Sequence, residues 1–246
     1  MNKRIFVGPV IIVLIWYLLF LIHFINPLFL PAPHTVVVSF VKLILDYSIF
    51  ADIALSVGRI ILSFFIAAFL GIPIGLLLGY YDKLYEVWEI VIDFFRSLPA
   101  LAVFPLLMFF FGIGETAKVA TAVFSCIFII IINTIYGVSH SNKTLRTVAI
   151  LMEARTDEIF KKVIFMDSLP QIMIGLRTSL SLAIIVIIVT EMFIGTRVGI
   201  GYKINNFQLT YRVPEMYSAI IIAGMIGYFM NKIFRLIEKR IIHWKE

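Results

Sequence analysis

SHSNKTLRTVAILMEARTDEIFKKVIFMDSLP, residues 139–170, is a charged segment inside a chain that otherwise reads as built for lipid. It holds Lys143, Arg146, Glu153, Arg155, Asp157, Glu158, Lys161, Lys162 and Asp167. Apolar runs long enough to span a bilayer flank it on both sides. Its spacing reads as helical, with Ile150, Ala154, Ile159 and Val163 near one face and charges over much of the rest. A surface helix hung between two membrane spans is a handle for a soluble partner.

Composition agrees with that reading. Of the 246 residues 61% are hydrophobic and 15% charged, and the mean hydropathy is +1.03. Soluble domains carry about a quarter charged residues. The chain is therefore expected to be one membrane domain, 1–246, of about five to seven helices. Its single cysteine, Cys126, lies in an apolar run, so an internal disulfide and a Cys-based metal site are both excluded. Cys126 reads as a small buried hydrophobe. The net charge of +6 fits membrane orientation rather than nucleic-acid binding. At the N-terminus Lys3 and Arg4 precede an apolar run that exceeds a signal-peptide core and closes on no cleavage site, so it is expected to be a retained span.

The expected fold is all-α and polytopic, with about six transmembrane helices near 6–25, 54–80, 88–112, 118–138, 171–193 and 216–237. The third is interrupted by Arg96-Ser97-Leu98-Pro99. With the N-terminus in the cytoplasm, fourteen Lys and Arg fall on that side and six outside, leaving Arg177 within a span. Both termini and the loop 139–170 are then cytoplasmic. Outside, Leu30–Phe50 reads as a short interfacial helix, and Gly195–Pro214 as a partly folded loop.

Catalytic chemistry finds little support. The chain lacks a GxxxxGK[ST] phosphate loop, and His23, His34, His140 and His243 are too scattered to form a metal site. Charges within spans carry more information, because at membrane depth they face a partner or water. Arg59, near an outer end, reads as a snorkelling side chain. Glu89, Asp93 and Arg96 share a helical face and read as a local ion-paired set. Arg177 and Glu191 lie about four turns apart on one helix and cannot pair with each other. Asn133, Arg177 and Glu191 are the candidates for a pathway or gate, with a structural hydrogen bond from Glu191 to a neighbouring helix as the alternative. Gly71, Gly75 and Gly79 share a face suited to close helix packing. Pro73, Pro99 and Pro105 should bend or break their helices.

Several blocks, in order, carry a resemblance: Leu30-Pro31-Ala32-Pro33, Ser56-Val57-Gly58-Arg59, Gly71-Ile72-Pro73-Ile74-Gly75 and Phe95-Arg96-Ser97-Leu98-Pro99. Phe111-Gly112-Ile113-Gly114-Glu115, Asn133-Thr134 with Gly137, Glu191-Met192 and Gly199-Ile200-Gly201-Tyr202 continue it. Over nearly its whole length the chain resembles the permease subunit of type I ABC importers, in the nitrate/sulfonate/taurine branch. The resemblance implies the type I importer transmembrane fold, a homodimer in the cell (inner) membrane, a cytoplasmic ABC ATPase that consumes ATP, and an extracytoplasmic solute-binding protein. It implies no catalytic site or cofactor on this chain.

In that family the loop before the fifth span carries the EAA motif, which docks on the ATPase. Anchoring on Ile159–Val163 and Leu169-Pro170 lays Glu-Ala-Ala on Thr147-Val148-Ala149 and the family's glycine on Glu153. The literal Glu153-Ala154-Arg155 would need a deletion of about six residues in that register. The resemblance thus implies ATPase coupling through Ile150, Leu151, Met152, Glu153, Ala154, Arg155, Thr156 and Asp157, read as one helix. A helix without glycine at Glu153 should approach its cleft less closely. The implied solutes are oxyanions such as nitrate, sulfonates or taurine, with riboflavin or a pyrimidine thiamine precursor as the alternative. An ion-coupled secondary transporter or channel would favour more intramembrane acids or an inverted repeat, and neither is read here.

Overall fold

The computed structural model describes residues 7–193 and 197–243, which are helices and their connections throughout. Lys3, Arg4, Phe6, Gly195 and Lys245, used above for the first span, the outer loop and the charge count, lie outside these residues. In chain order the helices are α1 (Val7–Leu21), α2 (Pro33–Leu45), α3 (Ser48–Tyr80), α4 (Asp82–Ser97) and α5 (Ala100–Phe111). There follow α6 (Glu115–Ser139), α7 (Lys143–Leu151), α8 (Thr156–Phe193), α9 (Ile200–Leu209) and α10 (Val213–Ile241).

Length and apolarity qualify α3, α6, α8 and α10 to cross a bilayer. Helices α4 and α5 qualify only together, and they bend by 97° at Leu98-Pro99. Proline supplies no N–H to the helix ladder and drives the residue before it out of helical geometry, and Leu98 sits at φ −73°, ψ 127°. The interruption expected inside 88–112 is therefore a sharp corner. The first span is shorter than expected: the helix ends at Leu21, and His23 adopts a φ of +52°, against continuation to residue 25. Helix α8 is much longer than 171–193, because the second half of the polar segment is continuous with the span. A six-residue π-helix, Ile159–Ile164, lies in its first turns.

Helices α3, α6 and α8 form the centre. Gly71, Gly75 and Gly79 of α3 lie against Ile130, Thr134 and Val138 of α6, so the two helices run parallel. A methyl added at Gly75 would stand 2.5 Å from Thr134 Cβ, so the glycine face is used for packing, as its spacing implied. The bent α4–α5 pair carries the chain back between these two parallel helices. Helix α8 runs antiparallel to α6: Gly137 abuts Ser168 and Gln171, Gly175 abuts Asn133, and Cys126 is buried against the Ser179 carbonyl. Ile60, Phe64, Ile130, Met173, Ala183 and Ile187 fill the space between them. Helix α10 packs on α8, α9 and α2, where the Ser218 hydroxyl donates to the Val36 carbonyl over 3.0 Å. Helix α1 leans on this group through Trp16, which donates to the Pro31 carbonyl and stacks on Tyr217.

Candidate functional site

The polar segment is not one helix. Asn142 caps α7, its side chain accepting from the backbone N–H of Thr144 (2.9 Å) and Leu145 (3.3 Å). Its own N–H donates to Asp167 Oδ2 over 2.6 Å, which ties the start of α7 to α8. Helix α7 stops after Leu151 in a Schellman motif: Glu153 N–H donates to the Ile150 carbonyl and Ala154 N–H to the Ala149 carbonyl. This closure requires a left-handed residue, and Glu153 holds a φ of +56°. Arg155 then starts α8, its N–H donating to Glu158 Oε2.

The expected helix Ile150–Asp157 is therefore corrected to helix end, left-handed turn and helix start. The expected face of Ile150, Ala154, Ile159 and Val163 does not form. The glycine register on Glu153 coincides with a left-handed backbone position, which favours glycine on its own account. The turn displays apolar side chains outside the spans, with Leu151 and Met152 each 77% exposed and Ile150 beside them exposed as well.

At the opposite end of the long helices a buried charge network joins α3, α6, α8 and α9. Arg59 is not a snorkelling side chain. It is buried, and its guanidinium pairs with Glu191 of α8 and Glu115 of α6. Glu191 is 1% exposed; Ser56 donates to both of its oxygens, at 2.9 and 2.8 Å, and the Gly201 N–H donates to Oε2 at 3.0 Å. Lys118, fully buried, reaches Glu115 at 3.3 Å, and Lys203 reaches Asp52 at 3.6 Å.

The first turn of α9 supplies the remaining donors. Gly199 N–H meets Asp52 Oδ1 at 2.6 Å and Ile200 N–H meets Ser56 Oγ at 3.0 Å. These groups have no partner within their own helix; the Asp52 carboxylate, at the positive end of the helix dipole, satisfies the first and the Ser56 hydroxyl the second. Gly199 adopts a φ of +122° with Arg59 and Glu191 against it, so a side chain there is excluded twice. Asp52, Glu115 and Glu191 thus balance Arg59, Lys118 and Lys203 in a network that is buried except at Glu115, whose side chain is 52% exposed. Both Glu191 oxygens are engaged within it, which matches the structural alternative raised for this residue.

The other expected candidates are placed elsewhere. Asn133 accepts from Gln171 over 3.0 Å and donates to the Ile129 carbonyl, bridging α6 and α8. Arg177 pairs with Glu238 of α10 at 3.4 Å, and not with Glu191. Of the expected set Glu89, Asp93 and Arg96, the last two pair at 3.1 Å, whereas Glu89 accepts from the Tyr85 hydroxyl. Asp52, Ser56, Glu115, Lys118 and Lys203 were not singled out as site residues. Ser56, Glu115, Gly199 and Gly201 stood in the family-like blocks, which was the available signal, but the pairings that join α3 to α8 and α9 span more than 130 residues and are not readable from spacing.

Comparison with known proteins bears on the family and the fold. The family described as binding-protein-dependent transport system inner membrane component matches residues 71–243. The aliphatic sulfonates transport permease protein SsuC of Bacillus subtilis (strain 168) is 30% identical over 237 residues, covering 96% of this chain and 86% of that protein. The taurine transport system permease protein TauC of Escherichia coli (strain K12) is 25% identical over 239 residues, covering 95% of this chain and 86% of that one. In structure, an inward-facing MetNI methionine ABC transporter shares the fold, with a TM-score of 0.69 and 17% identity, over 79% of this chain and 96% of that chain.

Proposed function

The chain belongs to the inner membrane components of binding-protein-dependent transport systems, and on that premise we propose that it is the permease of an importer of small sulfonate-type oxyanions. Sulfonates and taurine come first because of the names its relatives carry, and nitrate follows from the blocks that resemble the nitrate/sulfonate/taurine branch. The chain works as a homodimer in the inner membrane, with both termini and residues 139–170 in the cytoplasm. A separate ATPase binds and hydrolyses ATP, and an external binding protein delivers the solute.

One observation carries the coupling part of this reading. Ile150, Leu151 and Met152 form an exposed apolar knob on a charged segment outside the spans. Exposed apolar side chains rimmed by charge mark a protein-binding surface. The knob is braced by the Schellman turn and leads directly into α8. Helix α8 has 38 residues, about 57 Å, and carries Glu191 of the outer network in its last turn. Movement of an ATPase seated on the knob would reach the outer network along this one rod.

The test uses proteoliposomes holding the permease with its ATPase and binding protein. ATP-dependent uptake is expected for taurine or an alkanesulfonate, with nitrate as a third arm. Leu151→Asp with Met152→Asp should release the ATPase and bring uptake to background while thermal unfolding stays unchanged. Retained ATPase and uptake in that variant would overturn the coupling site. ATP hydrolysis without uptake of any of the three anions would overturn the substrate class.

A further inference from the structure

Between the polar-segment end of α3 and the first turns of α8 lies a groove of about 780 Å³. Its floor is apolar, made by Pro73, Leu76 and Leu77 of α3 with Phe160 of α8. The floor runs seven residues down from Tyr80, about 10 Å along the helix axis. Tyr80 and Tyr81 stand at its mouth, packed edge-to-face at 4.9 Å, and Tyr80 also meets the Phe160 ring at 5.3 Å.

The rim is basic. Arg155 and Lys161 line it together with Asp157, which pairs with Arg155 at 3.2 Å. Lys161 is exposed and forms no ion pair among the described residues. Arg146 stacks over the Tyr80 ring at 5.7 Å, and beyond Tyr80 a smaller polar cavity is lined by Lys143, Arg146 and Asp82. Arg155 and Lys161 thus face Asp157 on the groove's own rim, and Arg146 adds a third cation across Tyr80.

We propose that this groove binds one anionic phospholipid, its phosphate among Lys161, Arg155 and Arg146 and its proximal methylenes along Leu76, Leu77 and Pro73. A soluble anion would use the basic rim alone. The apolar floor at membrane depth, entered past two tyrosines, matches a molecule charged at one end and aliphatic at the other. The proposal depends on membrane embedding and not on the transported solute, and its rim shares Arg155, Thr156 and Asp157 with the expected ATPase-coupling segment.

Native mass spectrometry of the detergent-solubilised protein tests it, with phosphatidylglycerol and phosphatidylcholine of identical chains. Phosphatidylglycerol adducts should be favoured about tenfold. Lys161→Glu should remove that preference and Lys161→Gln should halve it or more, while Lys239→Glu, at the far end of α10, keeps it. Far-UV circular dichroism and thermal unfolding establish that each variant is folded. Equal binding of the two lipids overturns the proposal, as does a preference that survives Lys161→Glu. Displacement of the lipid by equimolar glycerol phosphate would assign the rim to a soluble anion. Loss of the ATPase with lipid adducts intact in Lys161→Glu would assign the groove to a protein partner.

Discussion

At residue 153 the chain places a glutamate where the Schellman closure of α7 favours glycine. A non-glycine residue in the left-handed region costs about 1 kcal/mol, and more if it is β-branched. Glu153→Gly should therefore leave thermal unfolding unchanged or raise it and keep the ATPase bound. Glu153→Val should lower the unfolding temperature and weaken ATPase capture in a pull-down. Equal behaviour of the two variants would mean that φ at this position does not matter. Thr134 offers a second single-residue test. Its hydroxyl, fully buried beneath Gly75, has no hydrogen-bond partner among the described residues. Thr134→Val keeps the shape and removes an unsatisfied group whose desolvation costs about 1–3 kcal/mol. The expected result is a higher unfolding temperature; a drop would show that the hydroxyl is satisfied in the membrane.

Elements explain what the sequence could and could not disclose. The glycine face of α3 was legible because Gly71, Gly75 and Gly79 repeat with the helical period and need nothing distant to be recognised. The corner at Leu98-Pro99 was legible because proline acts on its own backbone and its predecessor's. The end of α7 was hidden. Ile150, Ala154 and Ile159 keep a helical period across a turn that hydrogen bonds, not hydrophobicity, create. Glycine packing between α3 and α6 predicts a steep dependence on side-chain size at one position. At Gly75 a Cβ would meet Thr134 Cβ and the Ile131 carbonyl at 2.5 and 2.8 Å, whereas at Gly227 on α10 it would meet the two Ile184 methyls at 3.8 and 4.0 Å. Gly75→Val should lower membrane accumulation and unfolding temperature strongly, and Gly227→Ala should do neither. Comparable losses would remove α3–α6 contact as the organising interface.

Over the whole molecule, α8 joins the exposed knob to the buried outer network, and the open question is whether that network only fixes the helices or also gates them. Arg59 and Glu191 are 132 residues apart in sequence, so their pairing emerges only when α3 and α8 lie side by side. Breaking one side of a buried pair costs about 3–5 kcal/mol, because the remaining charge is stranded. Arg59→Met strands Glu191 and should be the most damaging single change. Glu191→Gln is milder, since Arg59 keeps Glu115 and the amide still accepts from Ser56 or Gly201. The double variant Arg59→Met with Glu191→Gln should recover more than half of the stability lost in Arg59→Met, a coupling that independent sites would not show. Uptake in proteoliposomes then separates the two roles. If transport returns along with the unfolding temperature, the network is a clamp that holds α9 against α3 and α8. If the double variant is stable yet silent while still binding ATPase and hydrolysing ATP, the charges themselves switch partners during transport, and Glu191 is a gate despite being fully bonded in this state.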